Sequence, residues 1–351
     1  MKLPSHDYYR KLLEDFCKSE DLQKVDFNEK EINDSAQERV CLSLDGSINV
    51  PVREAVPETS AIDQLMALTG LQDVKLAISS EVSYHRIMSL REKFGKKSPK
   101  RLMHMLLTGN PGCGKTTVSR LIGKIYKEEG ILSSGHFVEA NRASLVGRYI
   151  GESEHITSEK IEEAKGGILF IDEIYSLTEG SEAGTKNDFG NKVIDTLLPV
   201  LSDESFDIMV IGAGYRSNMQ LFIKSNPGLA SRFPVVIDFK DFTLQELMEI
   251  CHRHIEKYEF NITAEADNKL ASLIDRVSAV KNSGNARVAL TILNNYVLPN
   301  LCMRIDKMLN TNTMNIEEMS LIISEDIPGI DKILPLIGKS ASSIGFSCKD
   351  V

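Results

Sequence analysis

The sequence predicts an α/β fold: a parallel five-stranded sheet flanked by helices, followed by a small helical domain. Three observations predict it. Between Arg101 and Phe239, short apolar runs alternate with amphipathic helical patterns, as strand–helix–strand units require. A glycine-rich loop, Gly109-Asn110-Pro111-Gly112-Cys113-Gly114-Lys115-Thr116, stands between one such run and a helical pattern. After Asp241 strand signals stop and helix signals take over.

In chain order, residues 1–58 read as a charged, irregular N-terminal extension and linker. They hold a short helix at Tyr8–Phe16, a weak hairpin at Val40–Val52 turning at Asp45-Gly46, and linker prolines Pro51 and Pro57. Residues 59–241 read as the large α/β domain. It opens with helical patterns at Ile62–Leu68 and from Asp73 to about Phe94, separated by Gly70-Leu71. Strands are expected at Met103–Leu107, His136–Glu139, Gly167–Ile171, Ile208–Ala213 and Val235–Phe239. Helices are expected at Lys115–Glu129, Glu152–Ala164 and Phe189–Leu201, with a short one near Met219–Lys224. Thr243-Leu244-Gln245-Glu246 is a capping box that opens the helical domain, residues 242–327. Further helices there follow Thr263 and Gly284, with a fourth candidate at Ile316–Ile323. Residues 328–351 read as a loose tail, Gly/Ser-rich toward its end.

The glycine-rich loop meets every fixed position of a phosphate-binding loop, with a strand before it and a helix after it. Gly109, Gly112 and Gly114 let backbone N–H groups turn toward phosphate oxygens. Asn110, Pro111, Cys113 and Thr117 complete the loop and the first turn. Lys115 reaches the β- and γ-phosphates, and the Thr116 hydroxyl is suited to Mg²⁺. The helix through Val118, Leu121, Ile122 and Ile125 presents its positive end to the anion. The loop therefore points to a nucleoside triphosphate.

A second apolar run, Ile168-Leu169-Phe170-Ile171, is continuous, as a strand buried on both faces must be. It ends in Asp172-Glu173. After a phosphate loop, that pair fits a carboxylate sharing Mg²⁺ with Thr116 (Asp172) and one polarising a water for attack on the γ-phosphorus (Glu173).

Composition bounds the alternatives. Apolar residues make up 42% and charged residues 26%, ordinary for a globular chain. A formal charge of −9 argues against a broad nucleic-acid surface. No apolar stretch approaches a membrane span, and the first residues lack the apolar core of a signal peptide. The six cysteines, at 17, 41, 113, 251, 302 and 348, have no paired spacing, which suits reduced thiols in a cytoplasmic protein. Cys251-His252-Arg253-His254 lies in a helical pattern, where neighbours face different ways, so a metal set is not expected there.

Three further positions stand out, each with two readings. Tyr149, with Ile150 and Gly151, sits in a loop between glycines. The spacing fits a mobile loop gripping a polypeptide as well as an aromatic anchoring a turn against the core. Arg232, in a loop before the last strand, fits either a surface arginine or a guanidinium acting on phosphate in a neighbouring subunit. Arg287, opening the helix after Gly284, is either solvated or reaches from the lid to the γ-phosphate.

Taken together, these residues resemble the AAA+ ATPases, and within them the CbxX/CfqX (CbbX) group. That group includes red-type rubisco activases, stage V sporulation protein K and type VII secretion ATPases. The likeness spans about residues 62–325. It is carried by the phosphate loop with Thr108 and Thr117, by Gly135-His136-Phe137-Val138-Glu139, by Leu145-Val146-Gly147 with Tyr149-Ile150-Gly151-Glu152, and by Gly166–Glu173. Ala213-Gly214-Tyr215, Asn226-Pro227-Gly228-Leu229 and Ser231-Arg232-Phe233-Pro234 add to it.

The resemblance implies that Tyr149 is a central-pore tyrosine, Arg232 an arginine finger acting in trans, and Arg287 the sensor-2 arginine. It implies that Leu68, Gly70 and Leu71 line the adenine pocket. It also implies an ATP-promoted homo-oligomeric ring, usually a hexamer, that pulls on a client protein. A nucleic-acid motor or loader and a nucleotide-gated scaffold are the competing functions on the same core. Two departures matter. Cys113 replaces the usual threonine, so oxidation sensitivity is expected, and Ala230 replaces an arginine that often precedes the finger pair. No role is carried onto Gly214-Tyr215 at the sensor-1 place.

Overall fold

A computed structural model describes residues 59–99, 101–147, 149, 151–178, 189–203, 206–280, 284–309 and 316–337. The helix and hairpin expected within residues 1–58 lie outside the described residues, as does Ile150.

Five strands, β1 (Met105–Gly109), β2 (Phe137–Ala140), β3 (Ile168–Ile171), β4 (Met209–Gly214) and β5 (Val235–Phe239), form one sheet in the order β2-β3-β4-β1-β5. All four pairings are parallel. Side chains alternate between the two faces of the sheet. Met105, Leu107, Phe170 and Ile211 enter one apolar core, while Leu106, Ile171 and Val210 enter the other. Both faces are therefore covered, which is why these strands read as continuous apolar runs.

The helices on the two faces run Gln72–Lys93, Lys115–Glu128, Glu152–Glu163, Phe189–Ser202 and Arg216–Ser225. Helix Lys115–Glu128 buries Val118, Leu121, Ile122 and Ile125, the apolar face its spacing predicts. The first strand starts at Met105 instead of Met103 because the preceding His104 turns its ring inward to accept the Val210 N–H at 3.0 Å. The segment expected as a loop around Arg232 is instead a short helix, Pro227–Arg232. Asn226 caps it by accepting from the Gly228 N–H at 2.9 Å, and Pro227 takes the first turn, where its missing N–H costs nothing.

The lid opens with helix Leu244–Lys257 on the predicted capping box. The Glu246 side chain accepts from the Thr243 N–H at 2.8 Å, and the Glu246 N–H donates back to Thr243 Oγ1 at 3.3 Å. Helix Ala264–Ser278 follows. Helix Asn285–Ile292 runs on through a π-helical stretch, Leu293–Val297, into helix Leu298–Leu309. The expectation that strands stop after Asp241 is corrected. Asn261–Ile262 (β6) pairs in parallel with Leu321–Ile322 (β7), and the fourth helix candidate is a short helix, Ile316–Met319, followed by that strand. Two-residue strands carry no alternation to read. The chain after Pro328 forms helix Ile330–Ile337, whose Ile333 is buried in the lid core.

Candidate functional site

Parallel strands carry their ligands at their carboxyl ends. Here that edge collects the glycine-rich loop after β1, Asp172-Glu173 after β3, and Tyr215 after β4. The register places them together: Thr108 of β1 pairs with Gly214 of β4, and Gly212 of β4 pairs with Ile171 of β3. Tyr215 thus follows the strand lying between the phosphate loop and the acidic pair. Burial raises its hydroxyl pKa, Glu173 and Asp172 push the same way, and Arg287 opposes them. Those charges come from the strand edge and, for Arg287, from the lid. Sequence reading left Tyr215 without a role, because its position depends on strand register.

Within the loop, Lys115 Nζ donates to the carbonyls of Gly109 and Asn110, both at 2.8 Å. The lysine thereby spans the loop it would serve. Across the cleft, the Glu173 N–H donates to Asp172 Oδ1 at 3.0 Å, and the carboxylate of Glu173 is exposed. Four non-glycine described residues have left-handed backbone: Leu71 (φ 58), Glu173 (φ 49), Glu259 (φ 59) and Asn285 (φ 49). Leu71, Glu173 and Asn285 belong to segments that frame the cleft. A side chain in this region carries a conformational cost of order 1–3 kcal/mol, and such residues cluster at functional sites.

The donor set of Thr116 and Asp172, one hydroxyl and one carboxylate, suits Mg²⁺, which takes few protein oxygens and draws the rest from phosphate and water. Among the described residues no group of three or more His, Cys, Asp or Glu could hold a metal. In the Cys251–His254 stretch, His252 Nε2 lies 2.6 Å from Asp267 Oδ1 and His254 Nε2 lies 2.8 Å from Asn294 Oδ1, while Cys251 is buried. Neighbouring residues there face different partners, as a helix dictates.

The pattern "ATPase family associated with various cellular activities (AAA)" matches residues 105–241, and "AAA lid domain" matches residues 243–334. The chain is 39% identical over 272 residues to stage V sporulation protein K of Bacillus subtilis, covering 76% of this chain and 83% of that protein. The chain belongs to the AAA+ ATPases, in the CbxX/CfqX group. It is also 33% identical over 270 residues to a chloroplastic ribulose bisphosphate carboxylase/oxygenase activase of Cyanidioschyzon merolae, covering 76% of this chain and 87% of that one. The solved structure of the FIGL-1 AAA domain in complex with ADP superposes with a TM-score of 0.51 at 17% identity, covering 77% of this chain and 82% of that one, a likeness of fold.

In this AAA+ ATPase the phosphate loop is the Walker A motif, and β3 with Asp172-Glu173 is Walker B. The lid packs against the phosphate loop. The Arg287 Cβ and backbone nitrogen lie so close to Gly112 that a Cβ added to the glycine would stand 3.0 Å from each. The segment Ala67–Leu71 is clasped by the first lid helix. Thr69 Oγ1 donates to Glu249 Oε1 at 3.1 Å, Arg253 donates to the Ala67 carbonyl, and a Cβ on Gly70 would strike Glu246. Leu71 reaches the loop itself, with its Cδ1 3.6 Å from where a Gly114 Cβ would lie. Tyr149 is 75% exposed, which removes the reading of an aromatic anchored in the core. Its backbone N–H donates to Glu152 Oε2 at 2.9 Å, tying the loop to the start of helix Glu152–Glu163. Arg232 closes helix Pro227–Arg232, donating from Nε to Ser202 Oγ at 2.6 Å and from NH1 to the Gly228 carbonyl at 2.7 Å. Among the described residues no helix is long and apolar enough to cross a membrane.

Proposed function

We propose that this ATPase works in the cytoplasm as a homo-oligomeric ring, hexameric by resemblance, that pulls a client polypeptide through its centre. The single observation that carries the threading step is the exposed ring of Tyr149, a residue whose backbone N–H is held by Glu152. A large aromatic kept in solvent has no core to pack against, and it offers a grip that depends little on the sequence it holds.

In this reading Leu68, Gly70 and Leu71 receive the adenine. The Walker A backbone and Lys115 hold the phosphates, and Thr116 and Asp172 hold Mg²⁺. When bound, the metal neutralises charge on the β- and γ-phosphates. Glu173 has its main chain pinned toward Asp172 and its carboxylate free. It takes the proton of the attacking water. Arg232 of the next subunit completes charge stabilisation at the γ-phosphate, and Arg287 links that phosphate to the lid.

Two variants test the reading. Glu173→Gln should bind ATP and assemble but lose turnover by a factor on the order of 10²–10⁴, and in that form it should retain client. Tyr149→Ala should keep ATP turnover and ring assembly but lose client unfolding. A Tyr149→Ala protein with full client activity would leave a nucleotide-gated scaffold as the better account. DNA-stimulated hydrolysis at physiological salt would favour a nucleic-acid motor.

A further inference from the structure

Asn285 lies at a polar junction that none of the roles above uses. It opens helix Asn285–Ile292 with left-handed backbone, φ 49. Its side-chain oxygen accepts the Phe242 N–H at 3.2 Å. Its side-chain nitrogen donates to the Pro111 carbonyl at 3.2 Å and to Asp241 Oδ1 at 2.9 Å. The same carboxylate takes a second amide: Asn110 Nδ2 donates to Asp241 Oδ1 at 3.0 Å and to Oδ2 at 2.9 Å.

One amide and one carboxylate therefore join the sheet, the connection to the lid, the lid and the phosphate loop. Asp241 lies two residues after the end of β5, whose Phe239 pairs with Gly109 at the end of β1, so Asp241 moves with the sheet. Phe242 begins the connection to the lid. Asn285 moves with the lid. Asn110 and Pro111 are the first half of the phosphate loop, the half whose carbonyls also engage Lys115. The contact is reinforced in the backbone, because the Gly284 carbonyl presses on Gly112 so closely that a Cβ there would lie 2.0 Å from it. A lid rotation that pulled Asn285 away would release the Pro111 carbonyl and one of the two amides that Asp241 holds. The shape of the phosphate loop then depends on lid angle without any ligand having to transmit it.

We propose that Asn285 is a positioning residue that sets the geometry of Asn110–Gly112 according to lid position, acting directly on the Pro111 carbonyl and on Asn110 through Asp241. Nucleotide affinity and lid angle are coupled through this junction, separately from the arginine of the same lid helix. The inference rests on the phosphate loop holding nucleotide, and it does not depend on a client or on threading.

The test is equilibrium binding of a fluorescent ADP to the full chain. Asn285→Gly keeps the left-handed backbone and removes the side chain. Asn285→Asp keeps the acceptor for Phe242 and loses both donated hydrogen bonds, so it stands in if the glycine variant fails to fold. Either should weaken ADP binding by about tenfold, the size of one or two lost hydrogen bonds. Asn110→Ala should weaken it less, and the double variant should fall short of the product of the two single effects, because both amides share the Asp241 carboxylate. Asp241→Asn, which keeps one shared acceptor, should stay closer to the parent than Asp241→Ala. Unchanged affinity in both Asn285 variants, or single effects that multiply in the double variant, overturns the proposal. A parent chain that binds no ADP fails the reading of the loop itself, a different outcome seen before any variant is compared.

Discussion

Arg287 of the lid rests on Gly112 of the phosphate loop, with a distance of 3.0 Å from the position a Gly112 Cβ would take to the arginine Cβ. The loop and the lid therefore meet at a point with no room for a side chain. Gly112 also has φ 72, a conformation that costs an L-residue about 1–2 kcal/mol. Gly112→Ala should lower stability by about 2 kcal/mol and weaken ADP binding at least about tenfold. Urea unfolding and fluorescent-ADP titration read the two effects. Parental values in both would mean that lid and loop are not in contact in solution.

Arg232 carries a prediction of a different kind, because its guanidinium is held along its own subunit by Ser202 and Gly228. Those hydrogen bonds place it at the end of helix Pro227–Arg232, near the surface. Arg232→Ala should leave ADP affinity nearly unchanged and lower turnover by roughly 10³-fold or more, the usual size of an arginine acting on transferred phosphate. Mixing it with Lys115→Ala subunits should restore part of the activity, since each variant supplies what the other lacks. If the mixture stays as inactive as its components, catalysis across a subunit boundary is excluded.

What the sequence made legible was local chemistry. The phosphate loop, the buried run before Asp172 and the Thr243/Glu246 capping box are each written within a dozen residues, and each folds as its spacing requires. Less legible were features that exist only once distant segments meet. Asn285 and Pro111 are 174 positions apart, and nothing near either one announces the other. Tyr215 gains its place from register with two neighbouring strands. The β6–β7 pair is too short for a period, and helix Pro227–Arg232 was hidden because Asn-Pro-Gly reads equally as a turn and as a capped helix start.

Cys113 reverses an expectation. A thiol in the phosphate loop suggested oxidation sensitivity, but its side chain is fully buried, and burial raises its pKa against the opposing pull of Lys115, 3.6 Å away. A protonated, enclosed thiol reacts slowly. Peroxide at neutral pH should leave turnover unchanged, and among the described cysteines an alkylating reagent should reach exposed Cys302 first. Mass spectrometry of peptides against residual turnover decides it: loss of activity tracking modification of Cys113 would restore the original expectation.

His104 makes stability depend on pH. It is 2% exposed, burial lowers its pKa to about 4, and its Nδ1 accepts the Val210 N–H, so the fold holds the neutral ring. In the unfolded chain the same ring titrates near 6.5. The unfolded state thus binds the extra proton between those two values, and stability rises with pH across that window. The full contribution is present above about pH 6.5 and is lost progressively as pH falls toward 4, the loss reaching about 2 kcal/mol at pH 5. His104→Asn keeps an acceptor near the Nδ1 position and cannot titrate. Its stability at pH 7 should be lower because the smaller side chain leaves space beside Phe233, whose ring centroid lies 6.2 Å from that of His104. Its loss on going from pH 7 to pH 5 should nevertheless be about 2 kcal/mol smaller than that of the parent chain. Urea unfolding at both pH values measures this directly. Equal losses in parent and variant would mean that His104 is protonated or solvated in the native protein, which would contradict its hydrogen bond to β4.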